Sequence, residues 1–216
     1  AANTSLTITG HNVSNINTKG YTKQQAGTQA ADALRTHTTY GAIGSGVVVT
    51  EISQIRDSYY DVKYRNNMAN YGQYSVKESY MGQIEDYLDE FTLNGYSQEY
   101  KNFFSAVNQL TITPGDTSAK NQLINNAKSL ADYFNTLTTN LRNVQADANN
   151  EIKDAVQQIN SYAKNIAALN RQINQIEANY GNANDLRDKR NAMIDELSEI
   201  VNLETSEEDM GNNVSN

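Results

Sequence analysis

From Leu123 to Ile176 apolar residues recur every three or four positions: Leu123, Ala127, Leu130, Phe134, Leu137, Leu141, Val144, Ala148, Ile152, Ala155, Ile159, Tyr162, Ile166, Leu169, Ile173 and Ile176. The steps alternate between four and three, which is the spacing of one stripe along one face of an α-helix. Val144–Ala148–Ile152 alone departs, with two successive steps of four, a stutter that locally unwinds a supercoil. No Gly or Pro interrupts the run. The pattern predicts a single helix of about 60 residues, about 90 Å long at ~1.5 Å per residue. It would begin after the turn "TPGD" (Thr113–Asp116), which holds the only proline, Pro114, with Thr117 as candidate N-cap. It would end at "NYGNAN" (Asn179–Asn184).

A helix this long cannot cover its own stripe, so the chain must supply companions. Ile52, Ile55, Tyr59, Val62, Ala69, Val76, Tyr80, Ile84, Tyr87 and Phe91 mark a second stripe, weakened where Asn66 and Gln73 occupy its slots. A shorter helix is expected over Ser97–Ile112, with Phe103, Phe104, Val107 and Leu110 inward, and a last one over Asp185–Val201. "TLNGY" (Thr92–Tyr96), "TPGD" and "NYGNAN" let the chain fold back on itself. The expected fold class is mainly α, an elongated antiparallel bundle of long, coiled-coil-like helices. Residues 21–50 lose the helical period, and "GAIGSGVVVTEI" (Gly41–Ile52) places three glycines before a β-branched run; a short extended or β segment is expected near 21–54. Composition agrees with thin seams rather than one large core. Hydrophobic residues are 38%, and the aromatics are 14 Tyr against four Phe and no Trp.

Several classes of function are disfavoured. The net charge is -8, so no nucleic-acid partner is expected, because neutralising phosphates needs clustered Lys and Arg. No basic amphipathic helix and no apolar run near ~20 residues is present, so no membrane partner is expected either. Cysteine is absent, which excludes disulfides, thiol catalysis and cysteine metal sites in this chain. There is no signal-peptide pattern. The chain lacks an initiator Met, starts inside an amphipathic pattern and ends in the polar "EEDMGNNVSN", so it reads as part of a longer protein.

The candidate chemical groups reduce to structural readings. His11 and His37 have no second His or acid pair at ligand spacing. "GAIGSG" lacks the Lys-Ser/Thr and the following helix of a phosphate loop and reads as a connection. Asp185 and Glu196 have the first-to-twelfth spacing of a calcium loop, but Arg187, Lys189 and Arg190 hold positions that need ligands or Gly. Those carboxylates read instead as helix-face ion pairs such as Asp185 with Lys189. "ETSEED" (Glu204–Asp209) reads as a solvated loop, and the glycosylation-like triplets at Asn3, Asn12 and Asn213 carry no weight without a secretory signal. No catalytic, cofactor-binding or metal site is expected, and no cofactor; the chain does not read as an enzyme.

There remains "HNVSNINTKGYTKQQ" (His11–Gln25). Leu6, Thr9, Val13 and Ile16 form a helical stripe that stops at Asn17–Gly20, where Gly20 can take the left-handed conformation. Asn12 and Asn15 share a helix face one turn apart, and Tyr21 offers a large anchor with a polar tip. The physical alternatives are a plain helix C-cap and a register-setting contact, since asparagine in a helix seam fixes partner and register. The order of residues resembles the N-terminal signature of the flagellar rod, hook and hook-associated axial proteins. Asn12, Asn15, Asn17, Thr18, Gly20, Tyr21 and Gln24 match it, while Lys19 stands where Pro is common and Lys23 replaces a frequent Arg.

"SGVVVTEISQIRDSYYD", "QQINSYAKNIAALNRQI" and "NANDLRDKRNAMIDELSEIVNLE" are similar to segments of the hook-associated branch that joins hook to filament. The resemblance implies a structural subunit of the bacterial flagellum. Its matched residues would be an assembly motif. Its partners would be the flagellar hook protein, other hook-associated proteins, neighbouring copies of itself in the axial tube, and an export chaperone whose site lies outside this chain. It also implies an extracellular location reached by type III export without a cleaved signal peptide. The expected division is 1–54, a partial axial-core helix with motif and extended linker, and 55–216, an incomplete long-helix domain. The alternatives are a hook or rod axial protein, or a secreted helical effector or binding module.

Overall fold

A computed structural model describes residues 1–33, 44–88 and 95–207. His37, Phe91, Asn213 and residues 41–43 and 92–94, which figure in the sequence readings, lie outside the described residues. The element order is α1 (Ala2–Ser14), β1 (Gln24–Ala30), β2 (Val47–Gln54), α2 (Ser58–Leu88), α3 (Tyr96–Ile112), α4 (Thr117–Glu177) and α5 (Asn184–Ile200). The chain is mainly α, and α4 is continuous over 61 residues, as its stripe requires. The chain divides into two compact units, one of Ala1–Gly72 with Gln157–Asn216 and one of Gln73–Val156.

The unit of residues 73–156 is built from helices. Asn126 Nδ2 on α4 donates to the Asn102 carbonyl on α3 at 2.9 Å, and the rings of Tyr96 and Phe134 lie 5.7 Å apart. The pairs 102–126 and 96–134 run in opposite senses, so α3 and the start of α4 are antiparallel across the Pro114 turn. Asp116, rather than Thr117, caps α4: its Oδ1 accepts from the Ser118 amide at 2.8 Å, and its carbonyl accepts from the Lys120 amide. Thr117 already has helical geometry. Tyr80 hydrogen-bonds the Glu151 carboxylate, which pushes its phenol up to about 12. Among the described residues the buried apolar side chains here are small or single, namely Ala106, Ala119 and Val144, so the seam is thin.

The other unit carries the sheet. β1 and β2 pair antiparallel from Gln24 against Gln54 to Ala30 against Val47, with an irregularity at Gly27/Thr28. Ile52 falls in β2 and Ile55 in the following link, which corrects the expectation that both begin the second helical stripe. The period of the isoleucines was compatible with either element, and pairing with β1 decides it. α4 and α5 form an antiparallel hairpin in which Glu177 meets Arg187, Asn170 meets Arg190 and Tyr162 meets Glu196. Its turn places Tyr180 at φ 59, in the left-handed region. α2 runs parallel to α5, with Arg65 on Asp195 and Gly72 against Glu199.

Candidate functional site

The matched motif residues build one hydrogen-bonded corner. α1 ends at Ser14 with Asn15 as its C-cap, so Gly20 serves a turn five residues later rather than the helix end. The Asn12 side chain bonds both backbone groups of Gln24: Nδ2 donates to the Gln24 carbonyl and Oδ1 accepts from the Gln24 amide, each at 2.9 Å. This is the pairing a neighbouring strand would supply, and it starts β1. Tyr21 folds back over the same face. Its hydroxyl donates to Asn12 Oδ1 at 2.7 Å and lies 2.9 Å from His11 Nδ1, with the two rings edge-on at 5.5 Å. Burial, then the charges of Asp185 and Asp188, raise the Tyr21 phenol above its ordinary value, which keeps that donor protonated. Asn15 ties the corner below: Nδ2 donates to the His11 carbonyl at 3.0 Å, and Oδ1 accepts from Thr18 Oγ1 at 3.2 Å. Asn17 is exposed.

The turn then lies along α5 in reverse. Lys19 Nζ reaches Glu196 at 3.4 Å, Gly20 faces Ala192, the Thr22 amide donates to Asp188 Oδ2 at 2.9 Å, and Gln24 Nε2 donates to Asp185 Oδ1 at 2.9 Å. The α5 partners are spaced four, four and three, so they form one helical face. Asp185 is thus engaged by Gln24 and by His11 Nε2 at 3.9 Å, which corrects the expected pair with Lys189. Gly20 has φ 80, and a Cβ there would stand 2.9 Å from Ala192 Cβ. Both the backbone and the space require glycine. Gly20→Ala is expected to destabilise the chain by about 2 kcal/mol. Denaturant unfolding followed by circular dichroism checks this, and an unchanged midpoint would contradict the packing.

Beneath the turn lies a network of buried charges. Asp188 and Arg65 are both buried. Arg56 donates through Nε to Asp61 at 2.6 Å and through Nη1 to Thr22 Oγ1 at 3.1 Å, and comes within 3.9 Å of Asp188 and Asp195. Arg65 Nε donates to Asp195 at 2.8 Å, and its Nη1 to Thr205 Oγ1 at 2.9 Å. A second network holds the hairpin: Arg187 makes a bidentate pair with buried Glu177, at 2.7 and 2.8 Å, and shares Glu207 with Arg190. Partial burial pushes the Glu207 carboxyl up, but the charges and hydrogen bonds of Arg190 and Arg187 outweigh it and hold the carboxyl below its usual range.

The structure therefore gathers Asn12, Asn15, Thr18, Gly20, Tyr21 and Gln24 in one corner and leaves Asn17 outside it. Sequence reading missed Thr22, Arg56, Arg65 and the receiving face of α5. Asp185, Asp188, Asp195 and Glu196 in "DLRDKRNAMIDELSE" were the available signal, since acids at helical spacing need cations or amides from elsewhere when a helix is packed. The apolar stripe of α1 faces away from the corner. Ile8 is buried beside the Asn12 face, while Leu6, Val13 and Ile16 are 73%, 65% and 77% exposed. The reason is that bonding to Tyr21 and Gln24 turns the polar face inward.

The sequence model of the flagellar hook-associated protein FlgK helical domain matches residues 81–215. The chain belongs to this family. Among similar proteins is flagellar hook-associated protein 1 of Bacillus subtilis (strain 168), 30% identical over 218 residues, covering 99% of this chain and 43% of that protein. The protein of the same name from Salmonella typhimurium (strain LT2) is 32% identical over 213 residues, covering 98% and 38%. That of Escherichia coli (strain K12) is 30% identical, with the same coverage. The chain thus spans roughly two fifths of each of these FlgK-family relatives. All three alignments take in nearly the whole chain, so the similarity reaches the N-terminal corner that lies ahead of the matched helical domain.

Proposed function

We propose that this chain is part of a structural junction adaptor between the flagellar hook and filament, needed for filament assembly and motility, and not an enzyme. The observation that carries the reading is the orientation of α1. The helix spends its polar face on its own chain and leaves Leu6, Val13 and Ile16 outward. A stripe of large apolar residues left uncovered among the described residues is suited to a partner helix in an axial assembly. The motif residues Asn12, Asn15, Thr18, Gly20, Tyr21 and Gln24 would act by fixing the angle at which α1 leaves the helical unit, and so the register of the stripe; Asn17 remains available to a neighbour. In this reading residues 1–54 are the partial axial segment and 55–216 the helix domain. The partners are the hook protein, other hook-associated proteins, neighbouring copies and, beyond this chain, an export chaperone. The location is the extracellular hook–filament junction, reached by type III export.

The test is the double substitution Asn12→Ala, Asn15→Ala in the full-length protein. It removes the side-chain bonds of the corner while leaving α2–α5 in place. Helix content by circular dichroism should be retained, while filaments seen by electron microscopy, and motility, should be lost. Normal filaments and motility from that variant would overturn the role given to the motif.

A further inference from the structure

α5 ends at Ile200, yet the residues that follow do not continue outward. Thr205 Oγ1 accepts from Arg65 Nη1 at 2.9 Å, and Arg65 is itself bonded to Asp195 of α5. Glu207 is held by Arg187 and Arg190, which lie nearer the start of α5. Residues 205 and 207 therefore sit beside successively earlier levels of the helix, so the segment runs back along it. The reach is sufficient: ten residues of helix from Arg190 to Ile200 span about 15 Å, and seven extended residues cover up to about 24 Å. The receiving groups also have partners outside the segment. Arg190 is buried and takes Asn170 at 3.3 Å, and Arg187 is clamped by buried Glu177.

Two guanidiniums one helical turn apart, each fixed from behind, converge on one carboxylate. We infer that residues 202–207 are a charge-held, releasable strap that folds back along α5 and holds Glu207 beside the start of that helix. Asp185, at that same end, receives His11 and Gln24. The strap and the corner where α1 enters thus share one end of α5 but lie on opposite faces of it. Among the described residues, no backbone hydrogen bond of the turns and loops ties residues 202–207 to the rest; the attachment is made by side chains, with Thr205 and Glu207 supplying its hydrogen bonds and part-buried Leu203 its apolar contact. Glu207 is half exposed, which makes the latch openable without unpacking α4 from α5.

Paired spin labels test this in the full-length protein, with Lys189→Cys and Ser206→Cys as its only cysteines. Both positions are exposed, and this chain has no cysteine of its own. Pulsed electron–electron double resonance should give one narrow distance in the parent and a broad distribution once Glu207→Gln is added, with helix content unchanged. A broad distribution in the parent, or a narrow one in both, overturns the inference. Should Glu207→Gln lose helix content, the parent in about 1 M NaCl, where the Debye length is about 3 Å, decides instead: broadening supports an ionic latch and an unchanged distance overturns it.

Discussion

Gly72→Ala lowers the stability of the chain by about 3 kcal/mol, against the ordinary expectation for glycine in a helix interior. Alanine normally stabilises such a position by about 1 kcal/mol, because it restricts the unfolded chain and has the better helix propensity. Here a Cβ would stand 2.0 Å from the Glu199 carbonyl oxygen and 3.0 Å from its carbonyl carbon. These are backbone atoms in the last turn of α5, so no side chain can swing away. The two helices must separate, and Arg65–Asp195 lies on the same seam. Gly82 of the same helix is the internal control, since nothing lies within 4 Å of its added Cβ. Gly82→Ala should raise stability by about 0.5–1 kcal/mol. Denaturant midpoints of the two variants should move in opposite directions; a shared direction would show that α2 and α5 do not approach this closely.

Arg65→Ala is the second large effect, a loss of about 3 kcal/mol. Arg65 is buried, and its removal strands the Asp195 carboxylate, which among the described residues keeps only the longer 3.9 Å approach of Arg56. It also frees Thr205 and leaves a cavity where the alkyl stem packed. The magnitude is the penalty of an uncompensated charge rather than the worth of the ion pair. The double variant Arg65→Met, Asp195→Leu should therefore recover much of the loss, because neither charge is then left behind. Among the described residues Arg65 Nη2 is buried without a hydrogen-bond partner, which further reduces what the intact pair contributes. Unfolding by urea across the full double-mutant cycle measures this, and a double variant as unstable as the sum of its parts would refute it.

What could be read in advance depended on whether the signal was periodic. The α4 stripe fixed a 61-residue helix to within a residue or two, because one face must stay dry along the whole length. α3 and α5 followed from shorter runs of the same kind. β1 did not show, since "QQAGTQA" has neither a β-branched run nor alternation, and it is a strand because β2 and the Asn12 side chain supply its partners. The motif was visible as an order of residues, but its receptor was not. Asp185, Asp188, Ala192 and Glu196 look like an ordinary solvated helix face until the turn is laid on them. The α1 stripe was legible as one apolar face, but the spacing alone does not say what covers it.

The contacts of the corner join residues that are 177, 166 and 161 positions apart. Closing loops of that length comes late in folding, after local helices have formed. A chain that emerges in order from its first residue cannot seat Lys19, Thr22 and Gln24 until Glu196 has followed them out. The N-terminal corner is thus a completion signal built into the fold: α1 acquires its fixed angle, and the outward stripe its register, only once α5 is in place.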